Sequence, residues 1–161
     1  LRFGSNFLLA RSQFSSAALE HGNEAEYMAR IQYEIRNGVM VEESDYVPHP
    51  QIARAGCSPD GLVGDDGLVE FKCPDTHTFI TYKLKGEIPR PYRLQMIWQV
   101  ACTGRTWNDY APFDPDLPEK DGWLQMRFIP TAKEISDMEF EVIKFDMEVE
   151  VLIEQIIARR V

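Results

Sequence analysis

The stretch SPDGLVGDDGLVEFKC, residues 58–73, decides how this chain is built. Asp60 lies between Pro59 and Gly61, and ten residues later Glu70, Phe71 and Lys72 follow in a row. The segments DGLVG and GLVEFK flank the turn signal GDDG, which marks a β-hairpin. Residues two apart on a strand point to the same face, so Glu70 and Lys72 share a face and Phe71 turns the other way, into a core. A three-residue loop of Asp65-Asp66-Gly67, with Gly67 left-handed, sets Gly64 opposite Leu68, Leu62 opposite Glu70 and Asp60 opposite Lys72. A two-residue loop would put Asp60 opposite Phe71, on the wrong face. The three-residue loop or an equivalent bulge is therefore expected, with Asp60, Glu70 and Lys72 on one side.

Two carboxylates and an ammonium at one sheet edge form a chemical kit. Asp60 and Glu70 suit a hard divalent cation, and the Phe71 carbonyl offers a further oxygen. Lys72 suits positioning or deprotonating a water, or stabilising charge on a phosphate. The set matches metal-assisted phosphodiester hydrolysis. A surface salt bridge between Glu70 and Lys72 is the bland alternative, because Glu-x-Lys alone is common.

Outward from the hairpin, Ser15 or Ser16 caps a helix that runs to about Asn37, with Ala29, Tyr33 and Met40 on one side, a weak point at Gly22 and a stop at Gly38. VMVEE (39–43) reads as a strand. THTFITYKLKG reads as a short helix with Thr76 as its N-cap and Gly86 as its stop. PYRLQMIWQVACTG reads as another, with proline near its start and Gly104 at its end. TWNDYAPFD and GWLQMRFIP alternate like paired strands around the polar turn PDLPEKDG. TAKE (131–134) is a capping box, and Ile135, Met138, Val142, Phe145, Val149, Leu152 and Ile156 then recur at helical spacing. This long C-terminal helix, about residues 131–160, should extend on the order of 40 Å. Its stripe is expected to pack on the sheet, with an oligomer contact as the alternative. The fold class is α/β, a mixed central β-sheet flanked by helices.

The 161 residues suffice for one domain, with 1–161 read as a single unit. No apolar run approaches the ~20 residues of a membrane span. Cys57, Cys73 and Cys102 form no CxxC pair and read as reduced thiols of a cytosolic protein. The formal net charge is −9, yet residues 72–105 carry Lys72, Lys83, Lys85, Arg90, Arg93 and Arg105 against only two acids. An acidic protein with one basic segment still binds a phosphodiester if cations gather on one face.

SPDGLVGDDGLVEFKCP resembles the core of the phage lambda-type alkaline exonucleases, the viral recombinase exonucleases of the PD-(D/E)XK nuclease superfamily. HGNEAEYMARIQYEIRNGVMV is similar to the family's helix, roughly (H/W)GxxxExxAR, followed by a strand. PYRLQMIWQVACTGRTWNDYAPFDPDLP is similar to its tyrosine–glutamine helix and the strand ending in a DP turn. The likeness covers about residues 15–130 in the same order and implies a restriction-endonuclease-like core. It implies metal ligation by Asp60, Glu70, the Phe71 carbonyl and Glu26, where the residues alone do not choose Glu26 over Glu24 or Glu34. It implies catalysis by Asp60, Glu70, Lys72 and Gln95. Ser58 falls where the family places a serine near the terminal phosphate of DNA. His77 and Gln99 are further candidates for DNA or phosphate contact, while His21 and His49 read as structural.

The resemblance further implies Mg²⁺ or Mn²⁺, with two ions, and 5′→3′ digestion of one strand of linear double-stranded DNA, leaving 3′ tails for recombination. It implies a homo-trimeric ring, to which the C-terminal stripe and Trp107, Tyr110 and Phe113 would contribute. A single-strand annealing partner and a phage- or prophage-encoded protein in a bacterial cytoplasm are also implied. The family's N-terminal GxxTAS-like stretch is not matched by LRFGSNFLLARSQ, so the chain is expected to lack an N-terminal segment. The rival functions are an endonuclease or RecB-like nuclease on the same fold, a truncated inactive DNA-end binder, and a structural oligomer built on the long helix.

Overall fold

The computed structural model describes residues 16–159, with side chains from Glu24 onward. LRFGSNFLLARSQ, the Ser15 cap and the side chain of His21 lie outside the described residues.

Helix α1 (Ser16–Asn37) runs unbroken through Gly22 and ends at Gly38, whose φ of 64° is the left-handed stop that a side chain would resist. Ala25, Ala29 and Tyr33 are buried at helical spacing. Met40 is not with them: it follows the Gly38 turn and is 75% exposed. Strand β1 (Val41–Glu42) leads to a small two-stranded sheet of β2 (Val47–Pro48) and β3 (Gly56–Cys57). The hairpin follows as β4 (Gly61–Val63) and β5 (Gly67–Lys72).

The chain then crosses over through α2 (Thr76–Lys85) and α3 (Arg90–Thr103) to β6 (Trp107–Pro112), which pairs parallel to β5. Strand β7 (Met126–Phe128) closes a mixed five-stranded sheet in the order β1-β4-β5-β6-β7. Helix α4 (Ala132–Ala158) ends the fold. The N-cap of α2 is Asp75 rather than Thr76, because the aspartate accepts from the Thr78 amide at 3.0 Å and Thr76 is already helical. Gly86 and Gly104 end α2 and α3 in the left-handed conformation, as expected.

One sheet face packs on α1 through Tyr33, Val41, Val63, Val69, Phe71 and Ala111. The other face buries Leu68, Glu70, Asn108 and Tyr110 toward α3. This alternation is the period-two pattern read from the strands.

The hairpin loop has three residues, but they are Gly64, Asp65 and Asp66. The pairs are Gly61 with Val69, Leu62 with Leu68 and Val63 with Gly67. The expected register was therefore two residues off, and Asp60 aligns with Glu70 rather than Lys72. Gly64 takes the left-handed turn, at φ 55°. Gly67 is needed for another reason: a Cβ there would enter the indole ring of Trp107, its parallel neighbour. A shift of two preserves the facing of every side chain, so the shared face survives.

Helix α4 packs on α3, not on the sheet. The Thr131 and Glu134 capping box forms, and Glu134 pairs with Arg93 of α3 at 2.5 Å. Further along, Glu139 meets His49, and Arg54 meets Asp146 and Glu150. The apolar stripe is half-buried at Ile135, Met138 and Val142, and exposed at Phe145, Leu152 and Ile156.

Candidate active site

β5 and β6 run parallel, and the carboxyl end of β5 carries Glu70, Phe71 and Lys72. The carboxyl ends of parallel strands are where α/β sheets place their ligand sites. Glu70 is completely buried, yet three donors converge on it. Lys72 Nζ forms an ion pair with Oε1. Gln95 Nε2 donates to the same oxygen at 2.5 Å. Gln99 Nε2 donates to Oε2 at 2.5 Å. A buried carboxylate is costly without such partners.

Asp60 lies one step beyond the Gly61–Val69 pair and so faces Glu70 across the hairpin. Its Oδ2 accepts from the Phe71 amide at 2.8 Å. Burial pushes its pKa up to about 7; the Glu70 charge adds to this, and Lys72 opposes it. Glu70 has Lys72, but Asp60 has no ion-pair partner among the described residues, and a cation beside it would favour its charged form. A cavity of about 250 Å³ beside Asp60 is lined by Glu26, Tyr27, Arg30, Glu43, Asp60 and Phe71. Glu26 thus reaches the site from α1, where Glu34 instead accepts from the Val41 amide at 2.8 Å.

No three His, Cys, Asp or Glu side chains among the described residues form a ready cage for a metal. A larger groove of about 500 Å³ lies between α3 and α4, but it holds none of these residues.

Lys72 is held over the ring of Tyr92, 5.2 Å from its centroid, and Tyr92 stacks on the buried Tyr110 at 5.6 Å. Sequence reasoning gave Tyr92 no role, although it sits three residues before Gln95 on α3. Arg30 was also missed. It lies one helical turn after Glu26 and pairs with Glu34 and Glu43. Asn108 gave no signal at all, because its role depends on contact with α3.

The other expected residues divide. Ser58 is exposed two residues before Asp60. His77 is exposed in the first turn of α2, but the Asp75 carboxylate already caps that turn, which disfavours a second anion there. Gln99 does not face DNA: it is 1% exposed and spends its amide on Glu70. Tyr110 and Phe113 are buried, and Trp107 packs against Gly67 under Arg127, so these aromatics serve the core rather than an outer contact. His49 is structural, as expected: it is buried, stacks on Trp98 at 5.0 Å and accepts from the amides of Gln51 and Ile52.

All three cysteines are free. Burial raises the thiol pKa of Cys57, to about 11 in Cys73 and to about 12 in Cys102, so none offers a thiolate nucleophile. Among the described residues, no helix is long and apolar enough to cross a membrane.

Residues 4–106 match the YqaJ-like viral recombinase domain. The fold is similar to a crystal structure of LHK-Exo in complex with dAMP, with a TM-score of 0.84 and 42% identity over 88% of this chain and 73% of that one. A second structure of this alkaline exonuclease, from Laribacter hongkongensis, matches with a TM-score of 0.82 and the same identity and coverage. A phage-related exonuclease from Haemophilus somnus 129PT shares the fold at a TM-score of 0.70, with 16% identity over 96% of this chain and 78% of that one. Comparison with curated proteins gives no match. The chain belongs to the YqaJ-like viral recombinase family.

Proposed function

We propose that this protein is a metal-dependent deoxyribonuclease that digests one strand of linear duplex DNA from its ends, 5′→3′, leaving 3′ single-stranded tails for recombination. The observation that carries the reading is Glu70, buried and held by Lys72 and Gln95, with its charge felt by Asp60, which the Phe71 amide holds next to it across the hairpin. The likeness to an alkaline exonuclease at 42% identity supports it.

Asp60, Glu70, Glu26 and the Phe71 carbonyl would hold Mg²⁺ or Mn²⁺, as two ions. When bound, the metal lowers the pKa of a water and offsets phosphodiester charge. Lys72 orients the attacking water and stabilises charge on the phosphate as the P–O bond breaks. The Tyr92 ring gives that ammonium a resting place beside Glu70. Gln95 reaches Glu70 from an exposed position on α3, so it can also meet substrate. Ser58, exposed two residues before Asp60, would meet a phosphate oxygen.

A homo-trimeric ring around DNA, a single-strand annealing partner and a bacterial cytoplasm complete the reading. The exposed apolar stripe of α4 supports self-association. The test is digestion of linear duplex carrying a 5′-phosphate on one strand only, in Mg²⁺ and in EDTA, beside closed circular DNA. Loss of the phosphorylated strand in Mg²⁺ with the circle intact is expected. Cutting of the circle would establish an endonuclease instead.

A further inference from the structure

Behind Glu70 lies a chain of amides that the proposed chemistry does not itself require. Gln99 Nε2 donates to Glu70 Oε2, and Asn108 Nδ2 donates to Gln99 Oε1 at 2.6 Å. Both amide side chains are sealed from solvent. We propose that Gln99 and Asn108 are positioning residues for Glu70: a buried relay that fixes one carboxylate oxygen to the protein and leaves the other to turn toward a divalent cation. This rests on the reading of Glu70 as a metal ligand.

The orientation of each link is forced. A carboxylate only accepts, so Gln99 must present its NH₂ to Glu70. The Gln99 carbonyl then faces β6 and needs a donor, which Asn108 supplies. Asn108 Oδ1 is left buried with no partner among the described residues. An apolar pair would fill the space between α3 and β6 without stranding that oxygen. The polar pair therefore makes sense through what it holds.

The three donors on Glu70 are not equivalent. Lys72 and Gln95 act on Oε1 from side chains that reach solvent and can move aside. Gln99 acts on Oε2 from the core and cannot. The relay thus selects Oε1 for the cation and holds the carboxylate plane while its other donors exchange. Partners that hold a ligand in this way govern metal affinity by about 10–100-fold.

The test titrates Mn²⁺ by calorimetry into the whole metal-free chain and follows cleavage of linear duplex against Mg²⁺ concentration. Gln99→Leu and Asn108→Ser should each weaken Mn²⁺ binding and raise the half-activating Mg²⁺ concentration, toward about 10-fold or more. The KM for DNA should not move. Gln99→Leu/Asn108→Ser should be no worse than Gln99→Leu alone, because Asn108 acts only through Gln99. If Gln99→Leu fails to fold, Asn108→Ser, a smaller change, carries the test. Folded variants with wild-type Mn²⁺ affinity, or additive losses in the double variant, overturn the relay. Glu70→Gln separates the two claims: if it keeps wild-type metal affinity, the metal-site reading falls; if it loses binding while the relay variants do not, only the relay falls.

Discussion

Asp60 faces Glu70 across the β4–β5 hairpin, and the amide of Phe71 between Glu70 and Lys72 donates to Asp60 Oδ2 at 2.8 Å. The backbone of one motif residue thus aims the side chain of another. That coupling explains why the two acids are separated by a short hairpin rather than by adjacency in sequence.

Loss of either acid should stop catalysis without unfolding the chain. Asp60→Ala and Glu70→Ala are expected to remove metal-dependent cleavage. Lys72→Ala should lower turnover by about 10²–10³-fold, with a smaller effect on metal affinity. Single-turnover digestion and calorimetric metal titration separate the two effects. Digestion by Asp60→Ala at the wild-type rate would rule out the site.

The raised pKa of Asp60 sets a pH dependence of stability in metal-free protein. The folded chain keeps a proton up to about pH 7, whereas an unfolded aspartate releases it near 3.8. The native state therefore binds more protons than the unfolded state in that window, and stability falls as pH rises through it. In EDTA, the wild-type melting midpoint should drop relative to Asp60→Asn between about pH 4 and 7, then run parallel to it. Calorimetric scans check this; parallel midpoints across the range would contradict it.

In the core beneath the sheet, Tyr33 donates to the buried Asp109 at 2.7 Å, and Arg127 grips the same carboxylate at 2.9 and 3.0 Å. Tyr33→Phe should cost about 1 kcal/mol, because Arg127 and Gln125 still satisfy Asp109. Urea unfolding measures it. Cleavage should be unaffected.

Gly67→Ala tests the corrected hairpin. A Cβ at this position meets the Trp107 ring, and overpacking of this kind costs about 1–3 kcal/mol. Gly64→Ala should destabilise for a different reason, the left-handed backbone at φ 55°. A Gly67→Ala protein as stable as wild type would return the register to question.

Much of this was legible in the sequence because strand facing has period two. Asp60, Glu70 and Lys72 were placed on one face even though the register was wrong, since an error of two residues leaves facing unchanged. Gly67 misled because glycine serves both positive φ and close packing, and only the neighbouring Trp107 tells which. The capping box at Thr131 and the stops at Gly38, Gly86 and Gly104 are local signals, and they held. The partner of α4 was not local: its stripe announced a helix but not that α3, rather than the sheet, receives it. Glu26 needed a family resemblance, because helix periodicity cannot say which acid meets a distant hairpin. Gln99 and Asn108 lie nine residues apart, on a helix and a strand, and nothing in their spacing joins them.

The most direct test of the central claim is strand-resolved digestion of a linear duplex, labelled separately at the 5′ and 3′ ends, by wild type and by Glu70→Ala in Mg²⁺. The account predicts that wild type releases the 5′ label early as mononucleotide and keeps the 3′ label on a lengthening single strand, while Glu70→Ala releases neither. Equal digestion by Glu70→Ala, or release of the 3′ label first, would contradict it.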